Sequence, residues 1–234
     1  MKPLPLLPVF SNASLPFPVA LLLFYPLVVV LGMLSMGFQM LASRLLSPHY
    51  GSTIVEWVWL ISTFLAAFSV GSVLGGWISS LPTARRGWSQ IAIAAVGIAS
   101  LAVTACYSKG MLDWIELRFI PDVAQMNDQG SADMNTAVFL SCMALFFVPV
   151  TALSSFGPQC VGWLAARGTP PGKASGVVYG VSTVGNIAGV MLTVFKLIPN
   201  FRVSHLLYGW LGVAAVSLTA LICLMRCPAK TKML

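Results

Sequence analysis

A few polar residues border the long uncharged runs of this sequence and could carry chemistry there. Arg44 ends the first run, Glu56 follows it and Lys196 ends the fifth. Ionisable groups near a membrane mark functional sites by default, although helix ends and interfacial water explain such positions too. We therefore define a candidate polar site, whose sharpest form is an ion pair between Arg44 and Glu56. Its members are Gln39, Arg44, Glu56, Ser182, Asn186 and Lys196.

The cysteines, histidines and glycines of the sequence do not form a recognisable catalytic, metal-binding or nucleotide-binding motif. The five cysteines lack a Cys-x-x-Cys pair, so neither a disulfide nor a metal site is expected from them. His49 and His205 fall on one predicted side of the membrane, where a lone histidine is usually only hydrogen-bonded. The glycines of residues 71–76 lie inside an apolar run and not after a strand, which argues against a dinucleotide fingerprint. We predict no catalytic residue, no metal ligand and no cofactor.

Length and spacing of the uncharged runs determine the elements that must position these residues. Residues 3–43 carry no charged side chain, and five further runs follow, at residues 57–84, 87–108, 134–166, 174–195 and 203–225. About 20 apolar residues suffice for one helical crossing. In lipid the backbone can be satisfied only in helices or closed barrels, and unbroken runs favour helices. With 58% hydrophobic and 8% charged residues, a soluble fold is excluded.

The fold class predicted is all-α, a polytopic integral membrane bundle of about six transmembrane helices. We expect a single transmembrane domain over residues 1–234, with an N-terminal segment that is retained and not cleaved as a signal peptide. A connection at residues 108–134 is the one sizeable extramembrane piece, with a short interfacial helix in its first part. The predicted spans are residues 18–43, 55–80, 88–107, 135–165, 175–198 and 204–225.

The charges are distributed unequally between the two predicted sides. With six spans, the termini and the turns at 81–87 and 166–174 share one side, which carries eight cations and no acid. That side is predicted to be cytoplasmic, in a bacterial inner membrane. All six acids lie at or beyond the opposite interface. The net charge of +7 therefore reflects membrane topology and contact with lipids, and a nucleic-acid partner is not expected.

Small residues recur at four-residue spacing on two of the predicted spans. Such spacing lets helix backbones approach closely, either within the chain or against a partner helix. Ser182 and Asn186 lie beside one of these stripes and can hydrogen bond across the contact or line a polar path. The predicted helix-packing residues are Ala67, Gly71, Gly75, Gly176, Gly180, Gly185 and Gly189.

Two stretches carry a family resemblance. Residues 39–53 with Trp57, and residues 172–189 continuing to Pro199, resemble the membrane region of fused major-facilitator/spermidine-synthase-like proteins. The turn at residues 75–80 with Arg85 and Arg86 is similar to the facilitator loop between helices 2 and 3. The resemblance implies half of a major-facilitator fold and a small cation, such as a polyamine, as a possible substrate.

The departures from that family bear on function. Members usually have an acidic residue at the position of Gln39 and an aromatic one at Lys196, and the facilitator loop's acid is replaced by Ser80 or Leu81. The synthase domain that follows the helices in fused members is absent from this sequence, so no polyamine synthesis is expected. We predict a non-enzymatic structural or accessory subunit of a larger membrane complex, acting through helix–helix contacts with other membrane-protein subunits. The alternative is a transporter-like half that binds a small cation and works as an oligomer.

Overall fold

A computed structural model describes residues 17–120 and 128–226, and this part of the chain is almost wholly helical. Six helical spans in it are long and apolar enough to cross a membrane, which confirms the predicted all-α multi-pass bundle. Its helices are α1 (Phe17–Tyr50), α2 (Ile54–Ser80), α3 (Thr83–Phe119), α4 (Asp128–Cys142), α5 (Val148–Ser154), α6 (Phe156–Ala165), α7 (Pro171–Leu192), α8 (Ile198–Asn200) and α9 (Val203–Arg226).

The fourth and fifth spans are each built from several helical pieces. The fourth runs from α4 through a π-helical turn, Met143–Phe147, into α5 and α6, and the fifth joins α7 to α8 through a second π-turn, Thr193–Leu197. Each π-turn precedes a proline, Pro149 or Pro199, whose missing N–H interrupts the regular hydrogen-bond ladder.

The third span is longer than predicted. Helix α3 continues to Phe119, so much of the predicted 108–134 connection is a straight extension of the membrane helix and not a separate interfacial one. The reason is amphipathic packing: Leu112 and Ile115 are buried, whereas Asp113, Trp114 and Leu117 on the other face are exposed. Similarly, α1 extends to Tyr50, beyond the predicted end at residue 43.

The core lies between α1, α2 and the fourth span. Five phenylalanine rings are fully buried there, and the ring of Phe38 meets that of Phe146 edge-on with 5.6 Å between centroids. The fourth span is the most enclosed, because 61% of the residues in its 18-residue apolar stretch are buried. The buried rings belong to Phe24, Phe38, Phe64, Phe146 and Phe156.

The second group of three spans repeats the packing of the first. Helix α2 packs on the fourth span as α7 packs on α1, and α3 packs on α9. The two packing helices share a sequence pattern, SVGSVLG at residues 69–75 and TVGNIAG at residues 183–189. Since α2 and α7 cross the bundle in opposite directions, the contacts of the two groups are arranged as in an inverted repeat.

Candidate functional site

One group of polar residues lies at the end of the bundle where α1 and α3 stop and α2 begins, which we call the acidic end. The chain turns there through Gly51, whose positive φ of 73° favours glycine, and the Gly51 N–H donates to the Ser47 carbonyl at 3.0 Å. Because α1 and α3 both end here, their last residues come together although they are far apart in sequence.

His49, Asp113 and Glu116 form a cluster at the acidic end, which we call the His49 cluster. The Nδ1 atom of His49 lies 2.8 Å from Oε2 of Glu116 and 3.7 Å from Oδ1 of Asp113. The imidazole is mostly enclosed, with 16% of the side chain exposed, whereas the two carboxylates reach solvent. The contacts of His49 with Glu116 and Asp113 connect α1 to α3 at the acidic end.

A buried hydrogen bond holds the end of α1 beside this cluster. The hydroxyl groups of Tyr50 and Ser141 lie 2.7 Å apart, which connects the last residue of α1 to α4. Both residues are buried, so the bond is shielded from competing water. It restricts the position of the neighbouring His49 ring.

Glu56 lies in the first turn of α2 and is fully buried, although the sequence places all six acids at or beyond the interface. The Glu56 N–H donates to Oγ1 of the N-cap Thr53 at 3.2 Å, but the carboxylate turns inward toward Ser43 of α1 and Cys142 of α4. The Ser43 hydroxyl is near enough to interact with the carboxyl group, but no hydrogen bond of good geometry reaches either carboxylate oxygen within residues 17–120 and 128–226. Thr53 and Glu56 therefore form only half of a capping box: the N-cap hydroxyl accepts from the Glu56 N–H, but the Glu56 carboxylate points into the core and not back to the N-cap.

The prediction of an ion pair between Arg44 and Glu56 is wrong. Arg44 is exposed, whereas Glu56 is buried on the inner face of its helix, and the described chain contains no salt bridge between them. The two residues are near in sequence, but their side chains leave the hairpin in different directions.

Replacing Glu56 by glutamine is expected to raise the free energy of unfolding by about 1–3 kcal/mol, because a neutral amide of the same shape costs less to bury than an ionisable carboxyl group without a well-aligned partner. Thermal unfolding in detergent at pH 8 measures the change. The matched control is Glu56→Asp, which keeps the buried carboxyl group and is expected to give no such gain in stability. A clear loss of stability in Glu56→Gln would show that the carboxylate is engaged.

The other members of the predicted polar site do not converge. Lys196 is exposed in the second π-turn, and Gln39 is half-buried on α1. Ser182 and Asn186 face α1, because a Cβ built on Gly32 would meet the Ser182 carbonyl and would lie 3.1 Å from Oδ1 of Asn186. These two polar residues therefore lie in a contact between helices of the same chain.

The predicted packing glycines divide into two groups. A Cβ on Gly185 or Gly189 would collide with the backbone of α1 at Val29 or Met33, and a Cβ on Gly71 or Gly75 would collide with the fourth span at Ser154 or Ser155. Ala67, one turn before Gly71, is fully buried, and its carbonyl accepts a hydrogen bond from the Ser154 hydroxyl at 3.2 Å.

Gly176 and Gly180 lie differently. Both are exposed, and a Cβ at either position would meet nothing within 4 Å. They therefore make no helix contact within the described chain, although their spacing matches that of the packed pairs. These two glycines form what we call the open face of α7.

Sequence reasoning missed the His49 cluster, because it placed Asp113 and Glu116 on a separate interfacial helix in the 108–134 connection and not on a continuation of the third span. A usable signal was present: the two acids are three residues apart, which puts them on one face if the third span continues as a helix. The sequence did not predict that His49 contacts these two acids, because His49 precedes Glu116 by 67 residues.

Comparison of the chain with family models, with curated proteins and with solved structures gives no match. The class that the fold defines is a helical multi-pass membrane protein, with six candidate spans in residues 17–120 and 128–226. The resemblance to the fused facilitator/synthase-like proteins stays a prediction from the quoted residues.

Proposed function

We propose that this chain is a non-enzymatic membrane subunit that works by helix–helix contact inside a larger membrane assembly. The observation that carries the proposal is the open face of α7. Only 17% of the residues in the 18-residue apolar stretch of the fifth span are buried, compared with 61% in the fourth span. Yet Gly176 and Gly180 keep the four-residue spacing that lets a second backbone approach closely.

One groove of the bundle suits this role better than it suits a transport path. A groove of about 630 Å³ between α1, α7 and α9 is lined almost entirely by apolar groups, with His205 and Trp210 among the few polar ones. Its Trp210 Nε1–H already donates to the Leu34 carbonyl at 3.1 Å. The candidate polar residues lie outside this groove and do not line a common cavity. The helix surfaces are therefore better suited to binding than the interior of the bundle is.

Purification of the tagged protein from its native membrane in mild detergent tests the proposal. We expect the chain to migrate in a complex with other membrane proteins, and the double variant Gly176→Leu, Gly180→Leu to migrate alone, because the bulky side chains hold a partner backbone away. The matched control is Gly212→Leu on α9, an exposed glycine with equally open surroundings. Wild-type protein that migrates only as a monomer would contradict the proposal.

A transporter-like half that binds a small cation such as a polyamine is the second candidate, and the inverted repeat favours it. Repeats of opposite direction recur in secondary transporters, whose sites lie between the repeats. Glu56 is the buried acid that such a site needs, although it lies at a helix end and not in mid-membrane. Saturable uptake of spermidine by liposomes that contain only this chain, abolished by Glu56→Gln or Lys196→Ala, would favour the transporter over the subunit.

We further propose that the end opposite the acidic end faces the cytoplasm of a bacterial inner membrane. Arg85 is exposed at that end, and Arg226 donates from Nη2 to the Gly87 carbonyl at 2.6 Å. A cluster of cations on short connections is typical of the cytoplasmic side.

A further inference from the structure

We infer that the His49 cluster is a binding site for a divalent transition-metal ion, with His49, Asp113 and Glu116 as its protein ligands. The three ligand atoms, one imidazole nitrogen and two carboxylate oxygens, all lie within 4.8 Å of one another. An imidazole with carboxylates is a donor set that suits Zn²⁺ and its neighbours in the first transition row.

The separations fit an ion with small adjustments. Zinc bonds of about 2.0–2.2 Å to nitrogen and oxygen put tetrahedral ligand atoms about 3.3–3.6 Å apart. The observed distances from Nδ1 of His49, 2.8 Å to Glu116 and 3.7 Å to Asp113, bracket that range, and the two carboxylate oxygens lie within 4.8 Å of each other. Both carboxylates reach solvent, so they are the ligands that would rotate to admit the ion beside the enclosed imidazole.

Electrostatics also favours a cation at this position. Asp113 and Glu116 are three residues apart on one helix, where two like charges are destabilising unless a cation lies between them. Both are directed to the same nitrogen, which can donate one hydrogen bond and not two. In addition, α1 and α3 both present their C-terminal ends here, and the partial negative charge of a helix C-terminus attracts a cation.

A metal ion in this cluster would join the ends of the first and third spans. Three protein ligands leave at least one coordination position for water or for a group from a partner. Such a site adds to the proposed subunit function without depending on it, because the ligands come from this chain alone. It also lies at the acidic end, away from the open face of α7.

Metal titration of the purified chain tests the inference. The protein carries a tag without histidine, is treated with a chelator, and is titrated with Zn²⁺ by calorimetry in detergent. We expect one saturable site per chain in the wild type, together with a rise in the unfolding temperature. Asp113→Asn and His49→Ala are each expected to weaken binding by at least about 10-fold, since even second-shell changes at metal sites cost that much.

The controls separate this site from adventitious binding. His205→Ala removes the other histidine of the chain, which is exposed on α9, and is expected to leave Zn²⁺ affinity unchanged. Asp113 has 63% of its side chain exposed, so Asp113→Asn is expected to fold even if His49→Ala does not. Absence of a saturable site in the wild type, or equal affinity in the wild type and Asp113→Asn, would overturn the inference.

Discussion

Gly185→Leu is expected to lower the free energy of unfolding by roughly 1–3 kcal/mol, the usual cost of forcing extra atoms into a packed contact. A Cβ at this position would lie 2.9 Å from the carbonyl carbon of Val29 and 3.0 Å from its Cα, and the backbone of α1 cannot move aside as a flexible side chain could. For a chain of this length that loss corresponds to a fall of several degrees in the apparent unfolding temperature, measured by circular dichroism in detergent.

An exposed glycine on another helix supplies the control. Gly212→Leu introduces an identical side chain on α9 at a position where a Cβ meets nothing within 4 Å, and a change within about 0.5 kcal/mol is expected. Gly71→Leu on α2 is expected to be destabilising like Gly185→Leu, because a Cβ there would collide with the fourth span at the Thr151 carbonyl and the Ser154 side chain. Equal stability of Gly185→Leu and Gly212→Leu would mean that close packing of α7 on α1 does not hold the bundle together.

Cysteine labelling is expected to give an all-or-none difference between the two ends of the bundle. In cells that produce a variant with Cys106, Cys223 and Cys227 replaced by alanine, an impermeant thiol reagent should modify Ser52→Cys at the acidic end. It should not modify Ala84→Cys at the opposite end. Both positions are exposed, so they differ in the compartment that they face and not in access to solvent. The physical reason is the unequal distribution of cations across the membrane.

Permeabilised cells provide the control for the labelling experiment. Both cysteines should then react, because the reagent reaches either side, and the buried Cys142 and Cys160 should stay unmodified in all samples. Labelling of Ala84→Cys and not Ser52→Cys in intact cells would reverse the proposed orientation. Such a reversal would leave the fold as it is, because the packing within the bundle does not depend on which side is cytoplasmic.

Within the described residues, the sequence by itself determined the six helical spans and the end of the bundle at which the charged residues lie. Both follow from local chemistry: a run of about 20 uncharged residues must satisfy its backbone within a helix, and charged groups collect where that run ends. The four-residue recurrence of Gly71 with Gly75, and of Gly185 with Gly189, was legible for the same reason, because helix periodicity is a local property.

Only the tertiary structure decided which way each helix turns about its axis. In lipid both faces of a helix can be apolar, so spacing alone does not distinguish the packed Gly185 from the open Gly180. The orientation of α2 about its axis buries Glu56, and the orientation of α1 leaves Arg44 exposed. The His49 cluster required still more, namely that α1 and α3 end at one level beside each other, which depends on contacts between residues far apart in the chain.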